Sequence, residues 1–547
     1  MPLPVSDSTT QWPPTSLDGI LPSMGQWSAW WTNSLEKLQI AYGGGSTGDT
    51  TGFFASDTGG RKVHSLGPIR WFVGKSAIQG AENTKLPIPI AAEMCQASAD
   101  LLFSDPITVT IGASKADDGK SKTANPTQER LNALLDDNFH STMAEAAEVC
   151  AALGGVYLRV TWDDTFADGP FSTIKDADTA IPEFKWGRLV AVTFWTVVKR
   201  AGKDVYRHLE RHELGATGNG VILHGLYQGE DDKLGTRISL TALPETAAMA
   251  AHDDLNVEGS IDTATPGLAV TYVPNQTPNR MWRTDPIGRH LGRSDLDGVE
   301  HLLDQLAETM SDWMRARRAA RARVMMSKDL VKSAGPGKGT VVNLDQETYV
   351  NTDATLGSGP SASPSLADRV QVLQPTFDPD QYKATADTII EQILQMAGYS
   401  VQTFGVNPEG GGDKTATEIE SKERRSLMTR ARKIREWNPA LVEHLTKLLL
   451  VDNQFFSGGN IVTELTVEFS DGVQESQVKL GQYVQSLFTS ESASVEERVE
   501  ILHPDWDEEQ KSKEVQRIKD EFAHALPDPA MSPFDDPESD DDGATAA

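Results

Sequence analysis

Residues 90–111, IAAEMCQASADLLFSDPITVTI, change period in mid-stretch. Ile90, Met94, Ala97 and Leu101 recur at i, i+4, i+7 and i+11, and Leu102 widens the stripe. That spacing predicts a helix with one core-facing side, and its apolar residues come too densely for a free surface. Ser104-Asp105-Pro106 halts the pattern, because proline disfavours helix at the residue before it. The ITVTI beyond is β-branched with period two and predicts a strand. Local physics gives a buried helix feeding a strand. The rest of the chain decides what that junction serves.

A second such junction follows. PTQERLNALLDDNFHSTMAEAAEVCAALG reads as helix throughout, with Leu131, Leu134, Leu135, Phe139, Met143 and Ala146 on its apolar face. It stops at Gly154-Gly155 and passes into the alternating VYLRVTW. From there to about residue 290, alternating segments separated by Gly/Asp/Asn turns predict antiparallel sheet. Upstream, the Pro/Ser/Thr-rich residues 1–20 read as loosely ordered, and Trp27, Trp30 and Trp31 begin a helix that ends at glycines near residue 43.

After Gly292 the pattern becomes helical. SDLDGVEHLLDQLAETMSDWMRARRAARAR predicts one helix roughly 40 Å long. Ser294 and Asp297 form a variant capping box at its start. FDPDQYKATADTIIEQILQMAG is a second helix, stopped by Gly398, and a glycine-rich loop follows. Thr415 and Glu418 cap a very long third helix containing Pro439, where a bend is expected because apolar periodicity resumes at Leu441. ELTVEFSD reads as a strand, and residues 473–526 as two or three short charged helices. Asp535, Asp536, Glu538, Asp540, Asp541 and Asp542 stand in a final stretch without a base, which reads as a disordered tail.

The 547 residues exceed what one core usually holds. The formal net charge of −29 disfavours nucleic acid and anionic membrane except where bases cluster. No apolar run approaches the ~18 residues of a membrane span, and the first residues carry no secretory signature. Cys95 and Cys150 sit in apolar helical patterns without any CxxC, so buried free thiols in a reducing cytoplasm are expected.

Catalytic signatures fail one by one. GPGKGT at 335–340 lacks the Ser or Thr of a P-loop, since Gly339 stands there. His212 and His224 lack metal-ligand spacing and read as surface strand or turn residues. Asp163-Asp164 could hold a metal as a hydrolase site, but a solvated turn is the stronger reading. No catalytic residue, metal or cofactor is expected. Two basic clusters remain. One is Arg315, Arg317, Arg318, Arg321 and Arg323, where helix-dipole compensation accounts for two or three and an acidic subunit or a phosphate backbone for the rest. The other is Arg424, Arg425, Arg430, Arg432 and Lys433, read as intersubunit salt bridges ahead of DNA contact.

The ordered pieces resemble the portal proteins of tailed bacteriophages, in the class of siphoviruses with Gram-positive hosts. LPIPIAAEMCQASADLLFSDPITVTI, AEVCAALGGVYLRVTWD, GRSDLDGVEHLLDQLAETMSDW, LQPTFDPDQYKATADTIIEQILQMAGYSVQTFG with TATEIESKERRS, and VEFSDGVQESQ with the helices after it carry the likeness, over about 70–525. The resemblance implies an α+β fold: an N-terminal extension (1–66), a wing (67–293, completed by a strand at 453–472), stem helices (294–322 and 377–398), a small clip (323–376), a tunnel loop (399–414), a long kinked helix (415–452), a helical crown-like region (473–526) and the acidic tail (527–547). It implies a non-catalytic ring, usually of twelve, at one capsid vertex of the virion, assembled in the host cytoplasm. Double-stranded DNA would pass through the ring without sequence specificity. Terminase, the head–tail connector, major capsid protein and scaffold would be partners, with no membrane. Thr403, Asn407, Gly410, Gly411, Gly412 and Lys414 would face the channel. A minor capsid protein without a channel is the alternative, ahead of a metal-dependent hydrolase.

Overall fold

The computed structural model describes residues 3–4, 7–42, 86–112, 126–163, 167–250, 254–256, 259–320, 323–326, 370–373, 377–404, 416–456, 458–460, 464–470, 477–490, 492–503, 506 and 508–525. The chain forms two compact units, Met1–Ser470 and Asp471–Ala547. The first is mixed α/β. The second holds the helices Gln477–Thr489, Val495–Leu502 and Glu508–Ala525, tied by Lys519 to Glu496 at 2.8 Å.

The opening stretch folds as its period change requires. Ile90–Phe103 is a helix that buries Met94, Cys95, Ala99 and Leu102. Thr108–Ile111 is a strand that pairs antiparallel with Leu465–Glu468, so two segments far apart in sequence close one small sheet. Behind it, Asp136 breaks the expected single helix into Pro126–Leu134 and Asp137–Leu153. Its carboxylate accepts the Phe139 N–H at 2.9 Å, and that N-cap makes a new helix start cheaper than continuity.

Gly154 then takes φ +83 and turns the helix into the strand Gly155–Thr161. A Cβ there would lie 2.8 Å from the Gly292 carbonyl oxygen. Gly154→Ala is therefore expected to cost on the order of 1–3 kcal/mol in left-handed strain alone. The backbone clash adds to it, and a lowered urea midpoint reads the sum.

The large sheet is antiparallel and seven-stranded. Asp7–Gln11 forms its first edge, followed by Lys233–Ile238, Asn219–Gly229, Asp204–Leu214, Arg188–Ala201 and Ala180–Lys185, with Ser260–Pro266 pairing Asn219–Gly229. A second sheet joins Val270–Pro274, Gly155–Thr161 and Phe171–Asp176. The described residues of the N-terminal stretch are not loose. Residues 7–11 are the edge strand, and Trp12, Leu17 and Ile20 are buried. The first tryptophan helix is Leu21–Trp31, separated from Leu35–Tyr42 by Asn33 at φ 47. His212 and His224, expected at the surface, are also buried. Both sit on inward-facing positions of neighbouring strands, where each ring finds one polar partner: Glu210 for His212 at 2.7 Å and His208 for His224 at 3.2 Å.

Glu300–Ala319 and Pro379–Ala397 pack as an antiparallel helical hairpin. Leu303, Leu306 and Ala307 are buried on one helix, Ala386, Ile393 and Leu394 on the other. Trp313 stacks near Tyr382, ring centroids 6.4 Å apart. At the far end a ribbon follows, Arg323–Met326 antiparallel to Val370–Leu373. The first helix starts six residues later than its capping box suggested, because Gly298 takes φ +89 and interrupts the turns before Glu300. Ala416–Phe455 is one helix of 40 residues that continues through Pro439.

Candidate functional site

The base of the hairpin, the long helix and the opening helix meet at one buried carboxylate. Gly398 ends the second hairpin helix with φ +96, and the Tyr399 N–H returns to the Leu394 carbonyl at 2.8 Å. That left-handed closure satisfies the last carbonyls and turns Tyr399 inward, where it is 1% exposed. Its hydroxyl donates to Asp295 Oδ2 at 2.6 Å. Lys433 Nζ, from the long helix, donates to the same oxygen at 2.6 Å and to Ser98 Oγ of the opening helix at 2.5 Å. Asn275 Nδ2 and Gln276 Nε2 donate to Oδ1 at 2.8 and 2.9 Å. Asp295 is thus fully engaged among four side chains from three separate segments.

This environment decides the nearby chemistry. Burial, then the Asp295 charge, pushes the Tyr399 hydroxyl well above the usual phenol range. Burial does the same to the Cys95 thiol and takes the Cys150 thiol far above neutral pH. Both cysteines are free. Neither thiol nor phenol carries a thiolate or phenolate at neutral pH, so the cluster holds structure rather than supplying a nucleophile.

Lys433 corrects one expectation. With 2% of its side chain exposed and Asp295 as its ion-pair partner, it is committed within the chain and cannot reach a neighbour. Apolar neighbours on its own helix face carried it inward, and the carboxylate makes the burial tolerable. Arg430 is also engaged internally, its Nε donating to the Leu101 carbonyl at 2.6 Å and its Nη2 to the Ser470 carbonyl. Arg425 donates to the Gln395 carbonyl at the hairpin base. Arg424 and Arg432 are exposed.

Of the hairpin cluster, Arg315 and Arg317 are exposed near the hairpin's far end, Arg315 pairing with Asp312 at 2.8 Å. Arg318 is helical and Arg323 lies in the ribbon, while their side chains and all of Arg321 are outside the described residues. Thr403 is half-buried, its hydroxyl 2.8 Å from Ser426 Oγ. Asn407, Gly410, Gly411, Gly412 and Lys414 lie outside the described residues, as do GPGKGT, Asp164 and the acidic tail. Among the described residues no group of three metal-ligating side chains assembles, and no helix is long and apolar enough to cross a membrane.

A further ion pair anchors the other end of the long helix. Arg130 grips Asp452 through Nη2 at 2.6 Å and Nε at 3.0 Å, and Asn460 Nδ2 adds 2.7 Å. Sequence reasoning missed both Asp295 and Asp452. Each is a single acid among many, and only the fold brings its donors together.

Among solved structures the chain is similar to three gene-transfer-agent (GTA) entities. "Neck of empty GTA particle computed with C6 symmetry" shares 14% identity, covering 76% of this chain and 90% of that one, TM-score 0.38. "Virion of native gene transfer agent (GTA) particle" shares 12%, covering 76% and 90%, TM-score 0.35. "Neck of native GTA particle computed with C12 symmetry" shares 13%, covering 76% and 89%, TM-score 0.34. At such values these likenesses carry no weight of their own. No curated protein matches the chain. Residues 62–527 match the family described as phage portal protein, SPP1 Gp6-like. The match takes in the opening junction, both sheets apart from the edge strand Asp7–Gln11, the hairpin and the long helix, and the chain belongs to that structural, non-enzymatic family.

Proposed function

We propose that the chain forms a closed ring, of about twelve copies, at one capsid vertex. Double-stranded DNA passes through its centre during packaging and ejection. Terminase docks on the ring first and the head–tail connector afterwards, while scaffold and major capsid protein hold its rim. The family match over residues 62–527 carries this reading. The helical hairpin Glu300–Ala319 and Pro379–Ala397 would be the stem and its ribbon the base of the clip. Of the expected loop 399–414, Tyr399 and Ser400 are buried in the core; the rest would line the channel, with Thr403, Asn407, the three glycines and Lys414 toward DNA. One lysine suits a passage that must let a duplex slide, since bound phosphates hold a protein in place.

Arg315, Arg317, Arg318, Arg321 and Arg323 would serve assembly, as would the exposed Arg424 and Arg432, whereas Arg425 and Arg430 are held by carbonyls of their own chain. Changing Arg317 and Arg318 together to alanine is expected to reduce the ring fraction several-fold at fixed protein concentration, read by native mass. Intact rings that no longer support DNA packaging would move these arginines to the channel. The function itself is tested by deleting the chain's coding sequence from its own genome and restoring it in trans. Capsids lacking packaged DNA, rescued by the restored chain, are expected; DNA-filled capsids without it would overturn the reading.

A further inference from the structure

The strands Ala180–Lys185 and Arg188–Ala201 turn back on each other through two residues, with Lys185 paired to Arg188. Trp186 has φ 54 and Gly187 φ 80. This two-residue turn favours Asn, Asp or Gly at its first position. A tryptophan there takes a left-handed backbone that bulky residues avoid. Nothing within the protomer compensates, because Trp186 is 94% exposed, the highest value among the described large hydrophobic residues. A large apolar side chain held in a disfavoured conformation and pointed into water indicates a partner surface.

The surroundings narrow that partner. Lys185 and Arg188 flank the turn and are exposed. His290 lies against it, its ring 5.0 Å from Phe184 by centroids, and the adjacent Arg289 is exposed. Glu443 is set against Arg188, which still leaves the tip positive through Lys185 and Arg289. The chain as a whole carries −29, so a second copy offers the complementary charge. In a closed ring of identical subunits, head-to-tail contacts join two different patches, and a basic tip meeting an acidic patch satisfies that requirement.

We infer that Trp186 is an intersubunit anchor: its indole enters an apolar pocket rimmed by carboxylates on the next copy, with Lys185, Arg188 and Arg289 meeting the rim. The inference rests on the ring reading above. Buried tryptophans flanked by charge are the side chains on which interfaces most often depend.

The full-length chain tests this in two ways. Trp186→Asn suits the turn better than tryptophan does, so the protomer should fold at least as well, with unchanged circular dichroism and an equal or higher urea midpoint. The concentration needed for ring formation should nevertheless rise about tenfold or more. In assembled rings, Trp186→p-benzoylphenylalanine should give light-dependent, denaturant-stable dimers cross-linked at a segment containing Asp or Glu. Trp186→Asn rings at wild-type concentration, or cross-links to capsid proteins instead of a second copy, would overturn the anchor while leaving the ring intact. A wild-type chain that forms no ring contradicts the ring and this contact with it.

Discussion

Lys433→Met is expected to lower the stability of the Met1–Ser470 unit by about 3–5 kcal/mol, the usual cost of removing one partner from a buried ion pair. Lys433 and Asp295 have side chains 2% and 0% exposed. Without the ammonium, the carboxylate keeps only neutral donors from Tyr399, Asn275 and Gln276. Methionine matches the stem of lysine in volume, so cavity formation contributes little. Asp295→Asn alone should cost a similar amount, because its amide N–H groups would oppose Lys433. The double variant should lose at least about 1 kcal/mol less than the two single losses added together. There the asparagine amide can donate to the Tyr399 hydroxyl, and no buried charge remains. Urea midpoints of the four proteins decide it. A Lys433→Met protein within about 1 kcal/mol of wild type would mean that the hub is solvated and holds nothing together.

Acid should weaken the same unit above the pH at which most carboxylates titrate. Burial lowers His208, His224 and His444 from 6.5 to about 4. Between those values the unfolded chain binds protons that the folded chain refuses. Stability is therefore fully present above pH 6.5, falls as pH drops, and levels off below about 4. Each isolated group accounts for roughly 3 kcal/mol across that window. His208 and His224 share a 3.2 Å hydrogen bond, so their two protonations are coupled and belong to the pair.

Asp178 works in the opposite sense. Burial raises its carboxyl to about 6, so folding gains from it as pH falls below 6, offsetting roughly one histidine. Glu210 sits beside the pair with its pKa well below the usual range and loses its contribution only at lower pH. A net loss of about 3–6 kcal/mol from pH 7.5 to 4 is expected from urea midpoints. His444→Gln keeps a hydrogen-bonding group near Ser172 and should flatten the slope by about one histidine's share. Equal stability at pH 7.5 and 4.5 would contradict the buried, neutral assignment.

How far the sequence revealed the structure depended on the range over which each signal acts. The change from period 3.6 to period 2 around Pro106 is local, and it marked the helix Ile90–Phe103 and the strand Thr108–Ile111 correctly. Gly154 and Gly398 marked helix ends because both ends take left-handed backbone there. The hairpin helices were legible from their apolar faces. Asp136 and Gly298 were misread: a local cap and a positive φ override a continuous stripe, and periodicity alone does not reveal them.

The site was less legible. Lys433 looked like one base in a cluster of intersubunit salt bridges, because its partner Asp295 is 138 residues away. His212 and His224 looked exposed, because alternation does not say which sheet face is covered on both sides. The edge strand Asp7–Gln11 was hidden in a polar segment, since its stability comes from pairing with Lys233–Ile238 rather than from propensity.

The most direct test of the ring is the native mass of the purified full-length chain, measured together with electron micrographs of the same particles. Rings with a central hole, near twelve times 59.5 kDa, are expected. A monodisperse monomer that stays monomeric when capsid and scaffold proteins are added would contradict the ring.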